Sequence, residues 1–128
     1  MTENQLSYKI IGAALEVHRN LGVGLLESAY ESALTYELRK LDFDVQRQIY
    51  LPLQYKEIRI ENAYKVDLII QNKVIVEIKS VLDIHPIFYS QVLTYLKLTK
   101  MKLGLLINFN TPLIKHGIHR IVNQLIDE

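Results

Sequence analysis

The chain contains no cysteine and no tryptophan, only three prolines and five glycines, and almost no net charge. Each shortage excludes something. Without thiols there is neither a disulfide nor a thiolate metal site, a pattern that suits a reducing compartment, and a cytoplasmic location is expected. The few prolines and glycines do not cluster, so no linker or domain boundary is visible and residues 1–128 are expected to form one domain. A formal net charge of +1 argues mildly against a nucleic-acid partner, which usually selects a more basic domain, although a local basic face fits inside a neutral total. No window of about 18 residues is free of charge, which argues against a membrane span. The opening "MTENQLSYKI" has no basic segment followed by an apolar one, which argues against a signal peptide.

What is present is an ordinary globular mixture, 49% hydrophobic and 23% charged over 128 residues. A chain of this length buries roughly two-thirds of its unfolded surface, enough to fold without staples. Leu6, Ile10, Ala13, Ala14 and Val17 follow helical spacing between about Asn4 and Asn20. Asn20, Gly22 and Gly24 break that pattern. A second helix is expected from about Leu25 to Leu41, with Leu26, Ala29, Tyr30, Ala33, Leu34 and Leu38 as its stripe. From Val45 to Tyr55 the pattern alternates, with Pro52 marking an edge or bend. "YKEIRIENAY" then turns into the next strand. A helix over about Pro86 to Thr99, a strand over about Lys102 to Phe109 and a last helix over about Gly117 to Ile126 complete the chain. Strand, helix and strand across residues 74–109 read as a βαβ crossover, hence a parallel pair.

The stretch "YKVDLIIQNKVIVEIKS", Tyr64 to Ser80, is mostly aliphatic, yet Asp67, Glu77 and Lys79 interrupt it. "QNK" at 71–73 suits a three-residue hairpin loop. Counting outward from Asn72 pairs Ile70 with Val74, Ile69 with Ile75, Leu68 with Val76 and Asp67 with Glu77. Strict alternation then puts Asp67, Ile69, Ile75, Glu77 and Lys79 on one face, and Leu68, Ile70, Val74, Val76 and Ile78 on the other. A one-residue slip would reverse every assignment on one strand. Opposed acids stand about 4.5–5.5 Å apart at Cβ and repel. A divalent cation shared by both, Mg²⁺ or Mn²⁺, offsets that repulsion, and Lys79 on the same side can stabilise charge developing on a phosphate. The plainer alternative is a solvated rim with three unrelated charges.

A strand-borne Asp in "VDL" at 66–68 followed by Glu-x-Lys in "EIK" at 77–79 resembles the PD-(D/E)XK nuclease superfamily, with Val66 where a proline can stand. "QVLTY" puts Gln91 and Tyr95 on one helix face and resembles the QxxxY motif of the RecB-like branch. Over nearly the whole chain, "HRNLGVGLLESAYESAL" at 18–34, "DLII", "VEIKSV", "QVLTYLKLT" and "GLLINFN" resemble the GxxExxY family, whose named positions fall on Gly24, Glu27 and Tyr30. One departure is visible: Phe88 and Tyr89 stand where that family often has a histidine and an acid, and His85 is displaced from that place.

The resemblance implies that Asp67, Glu77 and Glu27 bind the metal, that Lys79 assists hydrolysis, and that Gln91 and Tyr95 line the site. Helical counting alone does not choose Glu27, since Glu37 projects nearer the middle of the stripe; Glu27 has the advantage of the first helical turn, where an anion is favoured. His18 matches the family pattern, but a lone histidine beside a helix end is more often a cap or a packed residue than a ligand. His116, His119 and Arg120 suit either phosphate contact or a solvated face. The eight tyrosines suit stacking on bases or, more ordinarily, core and rim positions.

The expectation is therefore one α/β domain with a restriction-endonuclease-like core: a central mixed sheet containing an antiparallel hairpin and a βαβ crossover, flanked by helices. The expected function is metal-dependent phosphodiester cleavage in nucleic acid, DNA first. The alternative is a non-catalytic nuclease-fold module that binds a partner or self-associates. A domain this small has little surface to grip a duplex, so a homodimer or a partner protein is expected to help.

Overall fold

The computed structural model describes residues 1–126. Helix α1 (Glu3–Leu21) begins with a reciprocal cap: Thr2 Oγ1 accepts the Gln5 amide at 3.1 Å, and Gln5 Oε1 accepts the Thr2 amide at 3.0 Å. The helix ends at Gly22, whose φ of 69° suits a residue without Cβ. Helix α2 (Glu27–Lys40) follows. Then come β1 (Val45–Tyr55), β2 (Ile58–Ile70), β3 (Val74–Lys79), α3 (Pro86–Thr99) and β4 (Leu103–Asn108). Pro86 opens α3, and His85 caps it by accepting the Ile87 amide on Nδ1 at 3.0 Å.

The chain end departs from the helix expected over Gly117 to Ile126. A short 3₁₀ turn, Ile114–Gly117, leads into a strand, β5 (Ile118–Val122), antiparallel to β4. The residues at 118, 121, 122 and 125 are Ile, Ile, Val and Leu, a spacing that suits a helix equally well. The outer edge of β4 decides the matter. Every residue of β4 is buried, and its backbone groups on that side need partners that only another strand supplies.

The sheet has the order β1-β2-β3-β4-β5, with β3 and β4 parallel and the other pairs antiparallel. The mixed sheet and the crossover are those expected. One face carries α1 and α2 over a core that includes Leu34, Leu68, Ile70, Val76, Ile78 and Phe109. The other carries α3 over Val66, Ile69, Ile75, Val92, Tyr95, Leu96 and Leu106. Contact with α3 is close at Gly104, where a Cβ would lie 2.6 Å from Val92 Cγ1. Burial on both faces explains why β3 and β4 read as unbroken aliphatic runs.

The hairpin register matches the count about Asn72: Ile70 with Val74, Ile69 with Ile75, Leu68 with Val76. Beyond Leu68 the paired ladder stops, and β1 and β2 continue as a two-stranded arm. Strict alternation fails at this point. Val66 should join Leu68 on the α1–α2 side, yet it packs with Ile69 in the α3-side core. Asp67 is the residue at which β2 changes face.

Candidate active site

Two chain segments meet at the end of the β2–β3 ladder. The Asp67 amide donates to Glu77 Oε1 at 2.9 Å, and the Ile78 amide donates to Asp67 Oδ2 at 2.9 Å. Each acid thus satisfies a backbone donor that the diverging strands leave unpaired. Asp67 is half-buried, while Glu77 is only 6% exposed. Burial first, and the adjacent Asp67 carboxylate second, push the Glu77 carboxyl up to about 9. Glu77 therefore carries a proton near neutral pH when no cation is present.

Lys79 is half-buried and stands over the Phe88 ring, with Nζ 4.2 Å from the centroid. It pairs with neither acid: among the described residues the ion pairs are Arg19–Glu16, Arg47–Glu31 and Arg59–Glu61. Phe88, which stands where the resembled family often has a histidine, gives the ammonium a resting place on a ring face. Tyr89, its neighbour, meets His119 edge-on at 5.3 Å. Tyr95 is buried beside the acids; burial, then the charges of Glu77 and Asp67, push its phenol up to about 12. Its ring meets Tyr64 edge-on at 5.9 Å. Gln91 shares the α3 face with Tyr95 but is exposed, and its side chain makes no hydrogen bond among the described residues.

Glu27, the first residue of α2, is exposed and accepts the Ser80 amide at 3.0 Å, while Ser80 Oγ donates to the Leu25 carbonyl at 2.7 Å. These bonds fasten the start of α2 to the chain just past Lys79. Tyr30, fully buried and stacked on Phe109 with centroids 4.5 Å apart, donates to the Gly22 carbonyl at 2.7 Å and accepts the Leu25 amide at 3.2 Å. Gly24 has a φ of 92°, which a residue with Cβ rarely adopts. Gly24, Glu27 and Tyr30 are thus one device: a turn that needs glycine, a phenol that pins it, and an acid delivered to the end of β3.

A cleft of about 380 Å³ lies between α2 and the β1–β2 arm, lined in part by Glu27, Glu31, Gln48, Lys65 and Asp67. Sequence reasoning missed Glu31, which is 7% exposed and paired with Arg47, Nη2 to Oε2 at 3.0 Å. Its signal was available, since it lies one turn after Glu27 on the same side of the helix. Glu37 lies elsewhere, in a groove with Tyr8, Lys9 and Lys40. His18 Nε2 lies 2.8 Å from the Thr111 carbonyl.

A family description matches the chain over residues 4–121, and it is that of the PD-(D/E)XK nuclease superfamily. The chain belongs to that superfamily. No curated relative and no solved structure matches it. PD-(D/E)XK nucleases typically use Mg²⁺ or Mn²⁺, and the residues here fit such an ion in one respect. Asp67 and Glu77 offer hard oxygen donors side by side, one of them buried at a cost that a bound cation would offset. Glu27 shares the cleft with Asp67, but among the described residues no three His, Asp or Glu side chains converge as a ready cation cluster. The superfamily supports a nuclease-like function and contact with nucleic acid. No helix among the described residues is long and apolar enough to cross a membrane.

Proposed function

We propose that this chain is a metal-dependent phosphodiesterase that cleaves nucleic acid, DNA first, as a member of the PD-(D/E)XK nuclease superfamily. The observation that carries this reading is the buried Glu77 carboxyl beside Asp67, at the point where the two strands part. Two adjacent acids in so apolar a sheet lower stability unless something positive lies between them.

Asp67 and Glu77 would hold Mg²⁺ or Mn²⁺, with Glu27 reaching the same cleft from α2. The ion would supply a more acidic bound water and a clamp on a phosphate oxygen. The remaining work belongs to the chain. Lys79, on the strand that carries Glu77 and in no ion pair among the described residues, offsets charge developing on the phosphate. Tyr95 keeps its proton at all working pH values and acts as a neutral hydroxyl at the α3 wall. Gln91, one turn earlier and solvent-facing, meets substrate rather than the acids. Incubation of plasmid DNA, linear DNA and RNA with the protein in Mn²⁺, Mg²⁺ or EDTA tests the reading. Metal-dependent cutting lost in Asp67→Asn and Glu77→Gln supports it. Absence of cutting together with absence of metal binding overturns it.

A specific observation favours a second reading, a module that self-associates. Beyond Leu68 the β2 edge has no strand partner among the described residues, and Tyr55, Ile58 and Ile60 are exposed on that arm. Charges near its tip alternate in sign, with Lys56, Glu57, Arg59 and Glu61. Such an edge pairs antiparallel with a second copy of itself. Sedimentation at several concentrations distinguishes the readings: a monomer throughout removes the second.

A further inference from the structure

Gln48 lies in the middle of β1 with a φ of 52°. An L residue with a Cβ is disfavoured in that conformation. The pairing on either side is ordinary: Arg47 lies opposite Leu68, and Ile49 opposite Val66. Gln48 therefore falls opposite Asp67, the residue at which β2 changes face. The left-handed residue lets β1 change face in step with β2, since Val45 packs in the α1–α2 core and Ile49 against the α3-side core. Backbone strain kept beside a candidate site is a reason to ask what the side chain does.

Its amide nitrogen answers. Gln48 Nε2 donates to Glu31 Oε1 at 2.5 Å and reaches Asp67 Oδ1 at 3.4 Å. Glu31 is itself held from the other side, because Arg47 Nε donates to its Oε2 at 3.1 Å and Arg47 Nη2 donates to Ser32 Oγ at 3.1 Å. Asp67 Oδ2 meanwhile accepts the Ile78 amide. Both oxygens of Asp67 are thus engaged, one by the β3 backbone and one by an amide anchored to α2. A primary amide suits this place. One nitrogen carries two N–H donors, enough for two carboxylates, and it adds no charge that would compete with a cation. A lysine of similar reach would neutralise Asp67 instead.

We infer that Gln48 is a positioning residue for Asp67, holding the carboxylate in one orientation through the buried Glu31, which Arg47 pairs from the solvent side. The inference rests on the reading of Asp67 as a cation ligand. Partners that orient a ligand typically change metal affinity about 10–100-fold when removed. From its place opposite Asp67, the Gln48 amide reaches Glu31 on α2.

The test uses the full chain, freed of metal with EDTA and then titrated with Mn²⁺ by calorimetry, alongside thermal melts in EDTA. Gln48→Gly removes the amide and relaxes the backbone, because glycine adopts a positive φ without penalty. Gln48→Met keeps the length and removes the donors. The expected result is a Tm for Gln48→Gly at or above wild type in EDTA, with Mn²⁺ affinity about tenfold or more weaker in both variants. Affinity within twofold of wild type in both overturns the inference while leaving the metal site intact. A Gln48→Gly protein that melts well below wild type in EDTA makes Gln48 a structural residue and also overturns it. A wild type that binds no Mn²⁺ overturns the metal reading, and this inference with it.

Discussion

Asp67 and Glu77 complete each other's strands: the amide of Asp67 donates to the Glu77 carboxyl, and the Asp67 carboxylate takes the amide that follows Glu77, both at 2.9 Å. The two acids are therefore both structural and available. Each uses one oxygen to end the ladder and has lone pairs left over.

The first prediction concerns pH. The Glu77 carboxyl goes from an ordinary 4.5 up to about 9 on folding. Between those values the folded chain holds a proton that the unfolded chain has released, so stability falls as pH rises through that window. Melts in EDTA should give a Tm highest near the lower end of the window and declining towards the upper end. Glu77→Gln should flatten the profile. A Tm that rises across the window, or an unchanged slope in Glu77→Gln, contradicts the assignment.

Metal and lysine should separate cleanly. Asp67→Asn and Glu77→Gln should each lose the Tm increase that Mn²⁺ gives the wild type by mass action on the folded state. Lys79→Ala should keep that increase yet lose cutting by about 100-fold or more, the size expected when a group that stabilises transition-state charge is removed. Differential scanning fluorimetry and a plasmid-nicking assay on the same samples check both halves. A Lys79→Ala protein that cuts normally removes Lys79 from the chemistry.

The loop before α2 should respond to Tyr30. Tyr30→Phe keeps the stack on Phe109 but leaves the Gly22 carbonyl and the Leu25 amide without their partner. The expected cost is about 1 kcal/mol, near the net worth of a hydrogen bond. Hydrogen exchange should quicken at Leu25 and at Ser80, whose amide depends on Glu27. Unchanged exchange at Ser80 would show that Tyr30 does not hold Glu27 in place.

Close packing of α3 on β4 predicts a defect at Gly104. A methyl group there meets Val92 Cγ1 at 2.6 Å. Gly104→Ala should cost about 1–3 kcal/mol by overpacking, read as a lower denaturant midpoint. Gly104→Ala combined with Val92→Ala should recover part of the loss, since the two sites touch. No recovery in the double variant would mean that α3 shifts as a body instead.

Much of this was legible along the chain because the determinants are local. The hairpin about Asn72, the α1 stripe from Leu6 to Val17 and the buried runs of β3 and β4 follow from periodicity and turn chemistry, which depend on neighbours a few residues apart. The spacing of Asp67, Glu77 and Lys79 was legible for the same reason. The terminal segment was not: Ile118, Ile121 and Val122 fit a helix as well as a strand, and the unpaired edge of β4 chose the strand. Tertiary structure also decided which acid of α2 is buried, where β2 changes face at Asp67, that Lys79 rests on Phe88, and that Gln48 reaches both Glu31 and Asp67. Those facts depend on how α2 and the β1–β2 arm approach one another across long stretches of sequence. Local pattern carries no record of such an approach, because burial and strain at one residue are set by groups that only the fold brings near.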